Sequence, residues 1–113
     1  MIFCVPVTKG GQVDPRWGRA DRVAIAEVAA GKIVRWEEHE VGWGLLHDAG
    51  TEGSHHGRVA RFLQDQRVDA VIADHMGPGM TLMLQRVGLP AHLGAAGDAR
   101  ELVLAMARRH PDA

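Results

Sequence analysis

The residues best suited to chemistry gather in one turn and one glycine-rich stretch. The turn is Asp74-His75-Met76-Gly77-Pro78-Gly79. His75 offers an imidazole and Met76 a thioether, both usable ligands for soft or borderline metals. Gly77 and Gly79 let the backbone come close to a ligand, and N–H groups at a helix start favour anions. A plain strand–helix junction accounts for the same residues without a ligand, with His75 hydrogen-bonded and Met76 filling a gap in the core. No Gly-Lys-Ser/Thr follows, so this is not a nucleotide-phosphate loop of the Walker type. It does not match the dinucleotide fingerprint either.

The second concentration is of histidine. The chain has seven, and His39, His47, His55, His56 and His75 all lie between residues 39 and 75. His47, His55, His56 and His75 are the candidate metal ligands. Neighbours on a helix point about 100° apart, so His55 and His56 can share a metal only from a loop. No pair has the H-x-x-x-H spacing, and exposed loop histidines are the alternative reading. Arg19, with Arg16 and Arg22, can face an anion. Trp43 stands between Gly42 and Gly44 and is expected to be exposed in an open loop, able to cover a ligand. Cys4 reads as a buried residue of the first strand. The sequence has no G-x-S-x-G, no H-E-x-x-H and no carboxylate pair spaced for acid–base work.

These residues need elements to hold them. Met1–Val7 is a short apolar run and reads as a buried strand. Lys9–Arg19 carries glycine and proline and reads as a loop. Arg22–Ala29 and Ile33–Glu40 form a hairpin about Ala30-Gly31-Lys32, the second strand alternating imperfectly and therefore expected at an edge. Val41–Gly53, with four glycines, is expected to be a long mobile loop. Ser54 is expected to cap a helix running to about Gln66. Val68–Ala73 reads as a buried strand, Gly79–Val87 as a helix, Leu89–Leu93 as a short strand, and Asp98 as the cap of a last helix ending near Arg109. The order β-ββ-α-β-α-β-α implies an α/β domain with a five-stranded mixed sheet and three helices.

Composition bounds the class. The chain has 113 residues, enough for one domain, with 46% apolar and 24% charged residues. Thirteen basic and 14 acidic residues give a net charge of −1, which leaves no electrostatic footprint for nucleic acid. No apolar stretch approaches the roughly 18 residues of a membrane span, and the N-terminus lacks the regions of a signal peptide. The expectation is a cytoplasmic protein. One cysteine excludes an internal disulfide and any multi-cysteine metal site made by this chain alone.

Four segments carry a family resemblance. Met1-Ile-Phe-Cys-Val-Pro-Val7, Val13-Asp-Pro-Arg-Trp-Gly-Arg-Ala20, Val68-Asp-Ala-Val-Ile-Ala73 and Gly77-Pro-Gly79 together resemble the dinitrogenase iron–molybdenum cofactor-binding domain. That family includes NifX-type nitrogenase accessory proteins and the C-terminal domain of NifB. The resemblance spans residues 1–109 as one domain and leaves 110–113 as a tail. It implies a ribonuclease H-like three-layer sandwich and a non-enzymatic carrier of iron–molybdenum cofactor or its iron–sulfur precursor cluster. It places the binding surface at Gly42–His56 and Asp74–Gly79. Cofactor contacts would then come from Arg19, Trp43, His75, Met76, Gly77 and Gly79, and metal ligation from His47, His55, His56 and His75. Relatives commonly carry a small pair where this chain has Asp74-His75, and His-Phe where it has Arg16-Trp17.

Three readings follow. The first is a binding or carrier protein for a metallocluster or a single transition-metal ion, with a protein partner in cofactor delivery. The second is a metal-free module for a small anion or metabolite, using the Gly77–Gly79 amides and Arg19. The third is a ribonuclease H-like hydrolase. Against it, the first strand offers Cys4 and Thr8 where a two-metal nuclease needs a carboxylate. The assembly is expected to be a monomer or a homodimer, the latter through an edge strand such as Ile33–Glu40.

Overall fold

Strict alternation in the central strands sends their side chains to two separate cores. A computed structural model describes residues 1–111, apart from the side chains of residues 47–49 and 52. In β1 (Ile2–Pro6), Phe3 and Val5 point to one face and Cys4 to the other. β2 (Arg22–Ala29) and β4 (Ala70–Ile72) divide in the same way, with Ala24, Ala26, Ala70 and Ile72 on the first face and Val23, Ile25 and Val71 on the second. A period of two along each strand produces this split, and both faces are apolar because helices cover both.

The sheet has five strands in the order β3-β2-β1-β4-β5, with β3 at Lys32–Glu40 and β5 at Ala91–His92. β1 pairs antiparallel with β2 and parallel with β4, and β4 pairs parallel with β5. The mixed sheet inferred from element order is present. The hairpin turns through Ala30 and Gly31, with φ of 53° and 74°, the pair of positive φ values that a two-residue turn requires. A register shift at Glu27/Val28 explains the broken alternation of β3: Ile33 and Trp36 both pack against the first core, while Val34 is 60% exposed.

The helices differ from expectation in one region. The stretch read as a long loop contains α1 (Trp43–Ala49) and the start of α2 (Glu52–Asp65). Gly42 enters α1 at φ 60°. Thr51, not Ser54, caps α2: its hydroxyl accepts the Ser54 N–H at 3.1 Å. Glycine content suggested a loop, but tertiary packing of Trp43 outweighs the weak helix propensity of glycine. α3 (Pro78–Arg86) and α4 (Ala99–Ala107) complete the set, and Asp98 caps α4 by accepting the Glu101 N–H at 3.0 Å.

α4 alone packs on the first face, through Ala99, Val103 and Ala107. The other helices cover the second, through Trp43, Val59, Leu63, Met80 and Leu84. The result is three layers, helix–sheet–helix. Among the described residues no helix is long and apolar enough to cross a membrane.

Candidate functional site

The carboxyl ends of β1 and β4 leave the sheet at one edge, and three loops are tied together there. The Asp74 carbonyl accepts the Gly94 N–H at 2.7 Å, and the Ala73 carbonyl accepts the Ala95 N–H at 3.1 Å. Gln12 bridges to Asp98, and Arg16 forms a parallel bridge to His75. In parallel α/β sheets this edge is where ligands bind.

The turn after β4 runs into α3 with Gly77 at the N-cap and Pro78 at the first helical position. Proline has no N–H to leave unsatisfied there. The N–H of Thr81 reaches back to the Gly77 carbonyl at 3.1 Å. The N–H groups of Gly79 and Met80 thus precede the first intrahelical bond and point out of the helix start.

Opposite this helix start stands a short 3-10 turn, Trp17–Arg19. Between them lies a cavity of about 140 Å³. Trp17, Gly18 and Arg19 form one wall, the stretch from Met76 to Met80 a second, and His55 and His56 from the first turn of α2 the third. Gly18 keeps this space open. A β-carbon there would lie 3.5 Å from Met80 Cε and 3.6 Å from His55 Nε2. His55 is buried and His56 half-buried, with ring centroids 6.1 Å apart. The Trp17 indole N–H is buried and has no hydrogen-bond partner among the described residues, an expense that folded proteins rarely accept without a ligand or water.

The cavity adjoins a wider groove of about 790 Å³ between α2 and α3, and His56, Pro78 and Gly79 line both. A separate depression of about 800 Å³ lies between the end of β1 and α1. Its arginines are already engaged: Arg16 with Asp14 at 2.9 Å, and Arg22 with Glu38 at 3.2 Å and Glu40 at 3.0 Å. It is the larger hollow of the two.

The structure brings together six residues singled out from sequence: Arg19, His55, His56, Met76, Gly77 and Gly79. It separates others. Trp43 is not an exposed cover; it is 2% exposed. Its ring meets Trp17 at 5.1 Å and Phe62 at 5.9 Å, both edge-on, so it supports the cavity wall from behind. The His75 side chain is 76% exposed and does not line the cavity, its Nδ1 lying 3.8 Å from Asp74 Oδ2. The side chain of His47 lies outside the described residues. Among those described, no three His, Cys, Asp or Glu side chains converge as metal ligands. Cys4 is fully buried, and burial pushes its thiol far above the ordinary range, so it supplies no thiolate.

Sequence reasoning missed Gly18, Met80 and the wall formed by Trp17. The available signal was the run Trp17-Gly18-Arg19, in which glycine between two large residues marks a close approach.

Comparison with known proteins places the chain. No curated protein matches it. Among solved structures, the orange protein from Desulfovibrio gigas, solved in its apo form, superposes with a TM-score of 0.77 at 20% identity over 99% of this chain and 92% of that one. The crystal structure of PH0822 gives 0.76 at 17% identity over 94% and 89%. A Thermotoga protein, TM1290, described as a putative NifB protein of the DUF35 family, gives 0.68 at 20% identity over 95% and 87%. At these identities the likeness shows a common fold. The model of the dinitrogenase iron–molybdenum cofactor family matches residues 1–109, and the chain belongs to that family.

Proposed function

We propose that this protein is a non-enzymatic carrier that binds an iron–molybdenum or iron–sulfur type metallocluster without cysteine ligation and hands it to a protein partner. The observation that carries the reading is the single cavity where Arg19, His55, His56, Met76 and the open amides of α3 meet. An anionic, sulfide-covered cluster is matched by N–H donors, a guanidinium and soft or borderline ligands. A cavity of about 140 Å³ is smaller than the ~300–1,000 Å³ typical of small-molecule sites. It therefore seats one face of a cluster, and the adjoining groove between α2 and α3 takes the remainder. His75, outside the cavity, and Trp43, beneath it, contribute at second hand. His47 is kept as a candidate ligand on sequence grounds alone.

The sheet order β3-β2-β1-β4-β5 supports a ribonuclease H-like description, and the family assignment supports a cytoplasmic role beside nitrogenase-type cofactor assembly. The metal-free alternative rests on the α3 amides and Arg19. Anaerobic titration with isolated iron–molybdenum cofactor, with a [4Fe–4S] cluster and with molybdate separates the readings. The proposal expects micromolar or tighter binding of a cluster that weakens at least tenfold in His55→Gln or Met76→Leu. Binding of molybdate alone, or of neither cluster, would reject it.

A further inference from the structure

A second pair of histidines meets on the opposite side of the sheet. His92 ends β5, and His110 follows α4 by three residues, held there by its N–H bond to the Ala107 carbonyl at 3.0 Å. Their Nε2 atoms are 3.1 Å apart, with ring centroids at 5.2 Å. His110 also lies edge-on against Phe3 at 6.1 Å, which fixes its ring from the core side. Residues 18 positions apart in sequence thus bring two imidazole nitrogens within hydrogen-bond distance, one from the end of β5 and one from the bend after α4.

Two nitrogens that each bind one metal at about 2.0–2.1 Å in tetrahedral geometry sit about 3.3 Å from each other. The observed spacing is close to that value before any ion is added. We propose that His92 and His110 form an open site for a borderline divalent cation, Zn²⁺, Cu²⁺ or Ni²⁺, bound through both Nε2 atoms. Imidazole suits these ions. Water completes the coordination, because no third protein ligand converges there among the described residues. In the metal-free pair one ring donates its Nε2 proton to the other. On binding, that proton moves to Nδ1 of the same ring, so both rings ligate as neutral imidazoles and no proton is lost. The bound ion would clamp the end of α4 to the edge strand β5. This site shares no residue with the cavity of Trp17, His55 and Met76, and its fate is independent of the carrier reading.

Zn²⁺ titration of the whole protein at pH 7.5, followed through the histidine ring resonances, tests it. The His92 and His110 ring signals should shift together and saturate. In His92→Gln and His110→Gln, Zn²⁺ affinity at this site should fall at least tenfold and the Zn²⁺-dependent rise in Tm should disappear. His56→Gln and His75→Ala should keep both effects. If one equivalent of Zn²⁺ leaves the His92 and His110 rings unmoved in the native protein, the site does not exist. That readout needs no variant to fold. An equal Tm rise in all four variants would also overturn it.

Discussion

Replacing Gly18 with leucine separates the seat of the cargo from the stability of the fold. Gly18 has no positive φ, so its backbone accepts an L side chain. The β-carbon would make ordinary contacts, 3.5 Å to Met80 Cε and 3.6 Å to His55 Nε2. The three carbons beyond it must enter the cavity, whose 140 Å³ or so equals four to five waters at about 30 Å³ each. Burying a leucine side chain contributes about 1.5–3 kcal/mol. Imperfect fit against Met80 and His55 costs about 1–3 kcal/mol. These offset, so stability should change by no more than about 2 kcal/mol, or about 8 °C in Tm. Cluster affinity has no such compensation, since the side chain occupies the space the cluster face needs. A loss of at least tenfold is expected, equivalent to about 1.4 kcal/mol. Thermal melts and anaerobic titrations of native protein, Gly18→Ala and Gly18→Leu measure both quantities. Gly18→Ala should bind within about threefold of native. A Gly18→Leu protein that melts near native and keeps native affinity would refute the placement of the site.

Other predictions concern the frame around the site. Arg67 ends α2 at φ 56°, with the Val68 N–H bonded to the Leu63 carbonyl at 3.0 Å, the same closure that Gly88 makes after α3; Arg67→Gly should stabilise by about 0.5–1 kcal/mol in denaturant unfolding. Thr51→Ala and Asp98→Ala each remove a helix cap and should cost about 1 kcal/mol by the same measurement. A β-carbon at Gly44 would come within 2.9 Å of the Arg19 carbonyl, so Gly44→Ala should force α1 and the Trp17–Arg19 turn apart, costing about 1–3 kcal/mol and loosening cluster binding. Burial raises the Asp14 carboxyl, but the hydrogen bonds and charge of Arg16 outweigh it and hold it below the usual range. Asp14 therefore contributes stability above its unfolded pKa, lost as pH falls through its lower folded value. In Arg16→Gln burial dominates, and acid unfolding followed by circular dichroism should begin at a higher pH; an unchanged midpoint would contradict this.

Where hydrophobic period dominates, the structure could be read from sequence. β1, β2 and the strand before the turn emerge from apolar runs, and the sheet's mixed pairing follows from their order with the hairpin. Asp98 was legible as a cap because its carboxylate stands just ahead of a helical apolar run, where it accepts the Glu101 N–H. Residues 42–53 were not legible, because four glycines mask a packing decision made by Trp43, which meets Trp17 and Phe62 edge-on. His55 and His56, expected at the start of the helix that follows, lie within α2, where one ring is buried and its neighbour half-buried. The site was half legible. Met76, Gly77 and Gly79 stood out as a turn, and Arg19 as a cation; the run Trp17-Gly18-Arg19 signals a close approach, but only the fold shows that it faces His55. His75 attracted attention by type, yet the chain leaves the strand's alternation after Ala73, so that Met76 packs with Val71 and Ala73 while His75 stays exposed.

The central claim is that the cargo sits between Trp17–Arg19, the start of α2 and the start of α3. Backbone and indole N–H spectra of the protein, recorded with and without one equivalent of a paramagnetic metallocluster, test it directly. Signals of the Trp17 indole, Gly18, His56, Gly77 and Gly79 should broaden away, while those of α4 and β3 stay sharp. Broadening centred instead on Thr8, Lys9 and Val41 beside α1, or spread evenly over the chain, would contradict the account.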